Sequence, residues 1–236
     1  DPIAVDGRIN ATESSQALVI TGTTDAQVGA TVTITLAGQP YTTQVLSGNT
    51  FTLTVPATDV HQLAESAQSL QISVTNRYGA TTQLSPSLTV DTVAPGQNSD
   101  GTDATISAPL ITVAEIVNGI SAADLTDGIQ TQVTLPTGSV EGDKVHIAFT
   151  APNGTVRQFD ATIDSTQATN GLATFTVPTS PVTTSPVAEN GNYSISVTTT
   201  DVAGNTSKVS AALSFTLATQ APGNNANGTP AAIPAP

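Results

Sequence analysis

The feature that most constrains this chain is a strict two-residue alternation of aliphatic and hydroxyl side chains, broken at short intervals by turn residues. Thr31–Leu36 reads TVTITL, with Val32, Ile34 and Leu36 on one face. Phe51–Val55 reads FTLTV, and Leu70–Val74 reads LQISV. Ala17–Thr21 and Ser87–Val90 complete the set in the first half. Side chains two apart share one face of a strand, so each run predicts a half-buried antiparallel strand. Turn signals lie between them at Asp25 to Gly29, Gly38-Gln39-Pro40, Ser47-Gly48-Asn49 and Asn76 to Gly79. Thr58–Ala67 is the one stretch with weak helical character.

The second half repeats the plan. Gln132–Leu135, Lys144–Phe149, Val156–Ile163, Ala173–Val177, Tyr193–Thr199 and Val209–Leu217 read as strands. The expected fold class is all-β: two tandem immunoglobulin-like β-sandwich domains in an elongated arrangement. The expected boundaries are residues 1–93 for the first domain and 94–218 for the second, which carries a long N-terminal connector. Residues 219–236 are expected to begin a further, flexible connector.

That last expectation rests on an internal repeat. Thr92–Pro109 and Thr219–Pro236 are identical at 11 of 18 positions at one offset of 127, including Ile106 and Ile233. Such collinear identity marks a slice of a tandem array and implies a third unit beyond it. The acidic positions change between the copies. Asp91 becomes Ala218, Asp100 becomes Asn227 and Asp103 becomes Pro230.

Composition narrows the function classes. Lys and Arg number 5 against 18 Asp and Glu, a net charge of −13. Binding to nucleic acid or to an anionic membrane surface relies on cationic contacts, so neither partner is expected. No apolar run approaches a membrane span, so no membrane insertion is expected. The chain has no Cys, which removes disulfides, thiolate metal sites and Cys nucleophiles. His61 and His146 are far apart and lack zinc-ligand spacing. No Gly-x-Ser-x-Gly elbow or paired carboxylates stand out, so the chain is expected not to be an enzyme. His146 alternates with Val145 and Ile147 and is expected to face away from them. There is no Trp, and the Phe residues fall mostly at inward positions.

Three segments carry a resemblance. VDTVAPG (Val90 to Gly96), TDVAGNTS (Thr200 to Ser207) and DGRINATE (Asp6 to Glu13), in that spacing, resemble the bacterial Ig-like repeats of giant adhesins exported by type I secretion in Gram-negative bacteria. The resemblance implies extender domains, rigidified by Ca2+ at or near junctions, that hold an adhesive tip away from the cell. It implies an extracellular, cell-surface location, biofilm or host attachment, and neighbouring Ig-like repeats of the same chain as partners in a monomer. At the first junction the candidate ligands are Asp91, Asp100, Asp103, Asp201, Glu141 and Asp143, a set of hard oxygen donors suited to Ca2+. The alternative there is an acidic linker with solvated carboxylates. Two departures stand out: Asn76 occupies the loop position that Asp201 holds in the second half, and Ala218 replaces the Asp91 equivalent.

Two further readings remain. Asp6 to Glu13 matches the later half of an EF-hand loop, but Pro2 and Ala4 fall where earlier ligands belong. The alternative is a turn between the first two strands whose Ile packs inward. The other reading makes one sandwich itself the adhesive module, binding a glycan or host protein. Tyr78, at a loop tip beside Arg77, is its best contact residue.

Overall fold

The structure is a computed structural model that describes residues 4–118, 120–121, 124–125, 128–177 and 190–218. The chain divides into two compact units. The first comprises Asp1–Val93 together with Ala203–Asn205; the second comprises Ala94–Val202 and Thr206–Pro236.

In the first unit, a short helix α1 (Ala4–Gly7) leads into β1 (Arg8–Ile9). There follow β2 (Leu18–Thr23), β3 (Thr31–Leu36), β4 (Gln39–Gln44), β5 (Thr50–Val55), helix α2 (Ala57–Val60), β6 (Ser66–Gln68), β7 (Leu70–Thr75), β8 (Thr81–Leu84) and β9 (Leu88–Val90). One sheet has the order β4-β3-β7-β8, and β2 pairs with β5 opposite it. β9 lies between β1, which runs parallel to it, and β6. The alternation seen in the sequence explains the packing. Val32, Ile34 and Leu36 pair with Val74, Ile72 and Leu70 across β3–β7, while the intervening threonines face outward. Leu18, Ile20, Leu53 and Val55 close the core from the other sheet. Each such buried aliphatic contributes roughly 1.5–3 kcal/mol.

The second unit repeats the plan with β10 (Leu110–Val113), β11 (Ile129–Thr134), β12 (Lys144–Thr150), β13 (Val156–Thr162), helix α3 (Ser165–Asn170), β14 (Leu172–Val177), β15 (Gly191–Thr200) and β16 (Leu213–Leu217). Its sheets have the orders β10-β11-β14 and β13-β12-β15-β16. Val145, Ile147 and Phe149 of β12 face Ile195 and Val197 of β15 within a separate core. Tyr193 is buried and stacks on Phe215 at 5.4 Å between ring centroids. Each unit is an immunoglobulin-like sandwich, all-β apart from short helical turns.

Several local expectations need correction. Gly38-Gln39-Pro40 is not all turn. Ala37 and Gly38 both have positive φ, 49° and 85°, and form the two-residue loop of a β3–β4 hairpin. Pro40 already lies in β4, where its missing N–H is tolerated because β4 is an edge strand. The helical stretch shrinks to α2, anchored by buried Val60, because Ser66–Gln68 is captured by the β9 ladder. β8 has no buried face and so left no alternation to read. β10 was hidden in the connector, since four residues, two of them inward, make a short signal.

The connector itself is folded. Gly96 donates its N–H to the Thr137 carbonyl at 2.8 Å, and Thr137 donates back to the Ile106 carbonyl at 3.0 Å. Within this strap, Ala104 donates to Gly96 and Asn98 to Thr102, closing a tight loop. The strap is therefore part of the second sandwich. Residues 219–236, expected to be a flexible connector, lie outside the described residues.

Candidate functional site

The six acidic candidates fall into different settings. Asp143 and Asp201 are brought together by strand register. β12 and β15 end on the pair Lys144↔Thr200, and each aspartate stands one residue beyond it. Asp143 is fully buried, and its carboxylate accepts the Val140 N–H at 2.8 Å. Asp201 is half-buried. Taking a carboxylate out of water is costly without compensating partners, and the Val140 N–H is one that this loop supplies. Glu141, two residues earlier, is exposed.

Asp100 and Asp103 sit on the strap of the second unit and are occupied there. The Asp100 carboxylate accepts both the N–H and the hydroxyl of Thr102, at 2.9 and 2.6 Å. Those bonds, the hydroxyl first, hold its pKa below the usual aspartate value. Asp103 forms an ion pair with Lys208 at 2.5 Å. Both partners are more than half exposed, so the pair is worth at most about 1 kcal/mol. It nevertheless neutralises one of the carboxylates the sequence offered as a ligand. Among the described residues, no group of three or more His, Asp or Glu side chains is placed to hold a metal ion.

Asp91 follows β9 in the first unit. Its N–H donates to the Ile9 carbonyl, and its own carbonyl accepts the Asn205 side-chain amide at 2.7 Å. The Asn205 amide oxygen accepts the Ala11 N–H at 2.8 Å, and Asn10 donates to the Ala203 carbonyl at 3.1 Å. Ala203 and Asn205 are both buried. The TDVAGNTS loop thus supplies a polar clamp that belongs to the first compact unit. The sequence named this loop, but it singled out the aspartate; the asparagine makes the clamp. An amide can donate and accept at once, which a carboxylate cannot.

The Asp6-to-Glu13 segment is the turn with an inward Ile. Ile9 is fully buried. The Glu13 carboxylate accepts the Asn10 N–H at 3.0 Å, and Asp6 accepts that of Arg8 at 2.8 Å. The second unit repeats the device. Ile120 is buried, and Asp124 accepts the Ser121 N–H at 2.8 Å and its hydroxyl at 2.7 Å. These two bonds, the backbone one first, lower the Asp124 pKa. In both turns the acid four residues after the Ile satisfies a backbone donor next to the Ile.

The remaining singled-out residues are quickly placed. His146 is half-exposed, faces away from the core, and lies 2.8 Å from Asp160 on the neighbouring strand. Tyr78 is 77% exposed, with the Arg77 guanidinium 4.7 Å from its ring centre. Its loop is pre-formed, because the Asn76 side chain accepts the N–H groups of both Tyr78 and Ala80.

No protein-family model matches this sequence, and no curated protein matches it. Solved structures do. The chain is similar to a Ca2+-stabilised adhesin with which an Antarctic bacterium reaches out and binds ice: 25% identity, 95% of this chain, 49% of that one, TM-score 0.44. It is similar to a 1.5-MDa bacterial ice-binding adhesin involved in host cell surface retention: 21% identity, 95% of this chain, 64% of that one, TM-score 0.42. A bacterial immunoglobulin-like domain from the M. primoryensis ice-binding adhesin aligns at 29% identity over 39% of this chain and 92% of that one, with a TM-score of 0.30. The chain therefore spans about half to two-thirds of the length of the first two structures it resembles.

Proposed function

We propose that this chain is a non-catalytic extender segment of a large bacterial surface adhesin, displayed outside the cell. In this reading it is monomeric and works in series with further sandwiches of the same chain. The observation that carries the reading is the strap. Its sequence recurs after the second sandwich at a fixed offset, and its first copy is hydrogen-bonded into the sandwich that follows it. The repeating element is then strap plus sandwich, which serves length and load rather than chemistry. A surface of threonine, serine and amide groups with only 10% charged residues suits that passive role. Among the described residues, no helix is long and apolar enough to cross a membrane.

Ca2+ is the proposed stiffening ligand, and Asp143 and Asp201 are the residues that would hold it. They fit by donor chemistry: two carboxylates at one ladder end, one of them buried. Ca2+ takes 6–8 oxygens, so carbonyls and water would complete the shell, and extracellular modules bind it at about 10⁻⁴–10⁻³ M. Asp100 and Asp103 sit on the strap, bonded to Thr102 and Lys208, and this site is proposed without them.

Calorimetric Ca2+ titration of the EGTA-stripped chain, with thermal melting alongside, tests this. Saturable binding is expected. At thirtyfold excess over Kd the stabilisation is about 2 kcal/mol. Asp201→Asn is expected to weaken binding at least tenfold. No heat and no shift in Tm would end the Ca2+ reading.

One observation favours the second reading, in which a sandwich is itself adhesive. Tyr78 is an exposed ring on a pre-formed loop tip. A glycan array probed with the chain separates the two: an extender is silent, whereas an adhesive module binds and loses binding on Tyr78→Ala.

A further inference from the structure

One pairing in the first unit differs in kind from the rest. β1 runs parallel to β9 in the register Arg8↔Thr89 and Ile9↔Val90, and the Asp91 N–H donates to the Ile9 carbonyl at 3.0 Å. Among the described residues, every other pairing between strands is antiparallel. The second unit repeats the device with a single parallel bridge. Ile120 stands beside Leu217, donates to the Thr216 carbonyl at 3.1 Å and accepts the Ala218 N–H at 3.0 Å. Both Ile9 and Ile120 are buried.

Strand direction decides how such a pair responds to tension. A pull on the chain before β1 and after β9 draws the two strands in opposite senses along one axis, because they run the same way. Their rungs are then loaded together, in shear. An antiparallel pair pulled from one end opens a rung at a time. The rung beyond Ile9 is supplied by a side chain. A regular parallel ladder would continue from the Ala11 N–H to the Asp91 carbonyl. Instead the Asn205 amide, part of the same compact unit, stands between them. Its oxygen accepts from Ala11 at 2.8 Å and its nitrogen donates to Asp91 at 2.7 Å. It takes the place of a peptide unit, since it carries both a donor and an acceptor. Thr92, the next residue out, donates its N–H to the Glu65 carboxylate at 3.0 Å. Sliding β1 would also draw the fully buried Ile9 from the core into water.

We propose that the parallel β1–β9 ladder, closed by the Asn205 amide, is the element of the first sandwich that bears tension along the chain. Asn205 is its terminal rung, and the sandwich opens under load when that rung and the Asp91–Ile9 bond part. The rest of the core is still packed at that moment. This inference rests on the extender reading, in which tension runs from one sandwich to the next; it does not depend on Ca2+.

The test is constant-force unfolding of the full chain held at its two ends, in EGTA. The sandwiches release different lengths of chain, Ile9 to Asp91 and Ile120 to Ala218, so each unfolding event can be assigned. Asn205→Ala is expected to raise the unfolding rate of the first sandwich under load roughly tenfold or more. Asn205→Asp, which keeps the Ala11 bond, is expected to fall between that variant and the parent chain. Asp91→Pro removes the N–H given to Ile9 and is expected to match Asn205→Ala. Melting curves show which variants fold, and Asn205→Ala carries the test if Asp91→Pro does not. Leu36→Ala is the control: it leaves a cavity in the core of β3, away from the ladder, and lowers Tm. Contacts still intact when the ladder parts affect refolding, so its unfolding rate under load is expected to stay within about twofold of the parent. An unchanged rate in Asn205→Ala, or an equal rise in Leu36→Ala, would overturn the proposal. Neither result bears on the extender reading, which falls instead to a glycan-array signal lost on Tyr78→Ala.

Discussion

Gly96→Val is expected to destabilise the second sandwich by about 3 kcal/mol or more, the sum of a left-handed backbone cost and a steric one. Gly96 has φ of 88°, and a Cβ there would sit 2.3 Å from the Ser107 carbonyl oxygen and 2.7 Å from its carbon. Those atoms are backbone, and the strap around them is pinned to Thr137 from both sides, so they have little room to yield. Gly138→Val is the control. Gly138 has nearly the same φ, 89°, but nothing within 4 Å of its Cβ position. It pays the backbone cost alone, about 1–2 kcal/mol. Urea unfolding of both variants measures the difference. Equal midpoints would mean that the strap does not approach Gly96 as closely as described. The strap repeat keeps glycine at both Gly96 and Gly223, as a backbone requirement of this kind demands.

Asn205→Ala is expected to cost about 2–4 kcal/mol. The side chain satisfies two backbone groups at once, the Ala11 N–H and the Asp91 carbonyl, and each loses about 1–3 kcal/mol when left unpaired away from water. Asn205→Asp separates the two contributions, since a carboxylate can still accept from Ala11 but cannot donate to Asp91. Thermal melting reports the total. Hydrogen exchange at the Ala11 amide reports the specific bond and is expected to quicken in the alanine variant and stay slow in the aspartate one. An Ala11 amide that exchanges at the same rate in all three proteins would remove the clamp from the account.

The site was only partly legible, for a reason these residues make plain. Carboxylates are conspicuous in an acidic chain, and reading them as ligands treats every one as available. Among the described residues, several of them are engaged by other groups of the chain. Glu13 and Asp124 close turns, Asp100 caps Thr102, and Asp103 is held by Lys208 across 105 positions of sequence. A short-range engagement such as Asp100 with Thr102 could have been suspected from spacing. The Lys208 pair could not, because nothing in either local sequence refers to the other. The clamping role of Asn205 is hidden for the same reason: its partners, Ala11 and Asp91, lie 194 and 114 positions away.

What the sequence determined by itself is the sandwich. Strands β3, β5, β7, β12 and β14 announce themselves because burial on one face selects an aliphatic residue at every second position, and that selection is local and repeated. What only the tertiary structure decided is everything that depends on which strand lies beside which. Ser66–Gln68 becomes a strand because β9 is there to pair with it, and β8 because β7 is. The strap folds onto the second sandwich because Thr137 meets it. Among the described residues β11 pairs with both β10 and β14 and β2 with β5, although both carry the same alternation. Periodicity records which face of a strand meets apolar surroundings; it carries no record of the neighbour at the strand's edge, because ladder hydrogen bonds are made by the backbone that every residue shares.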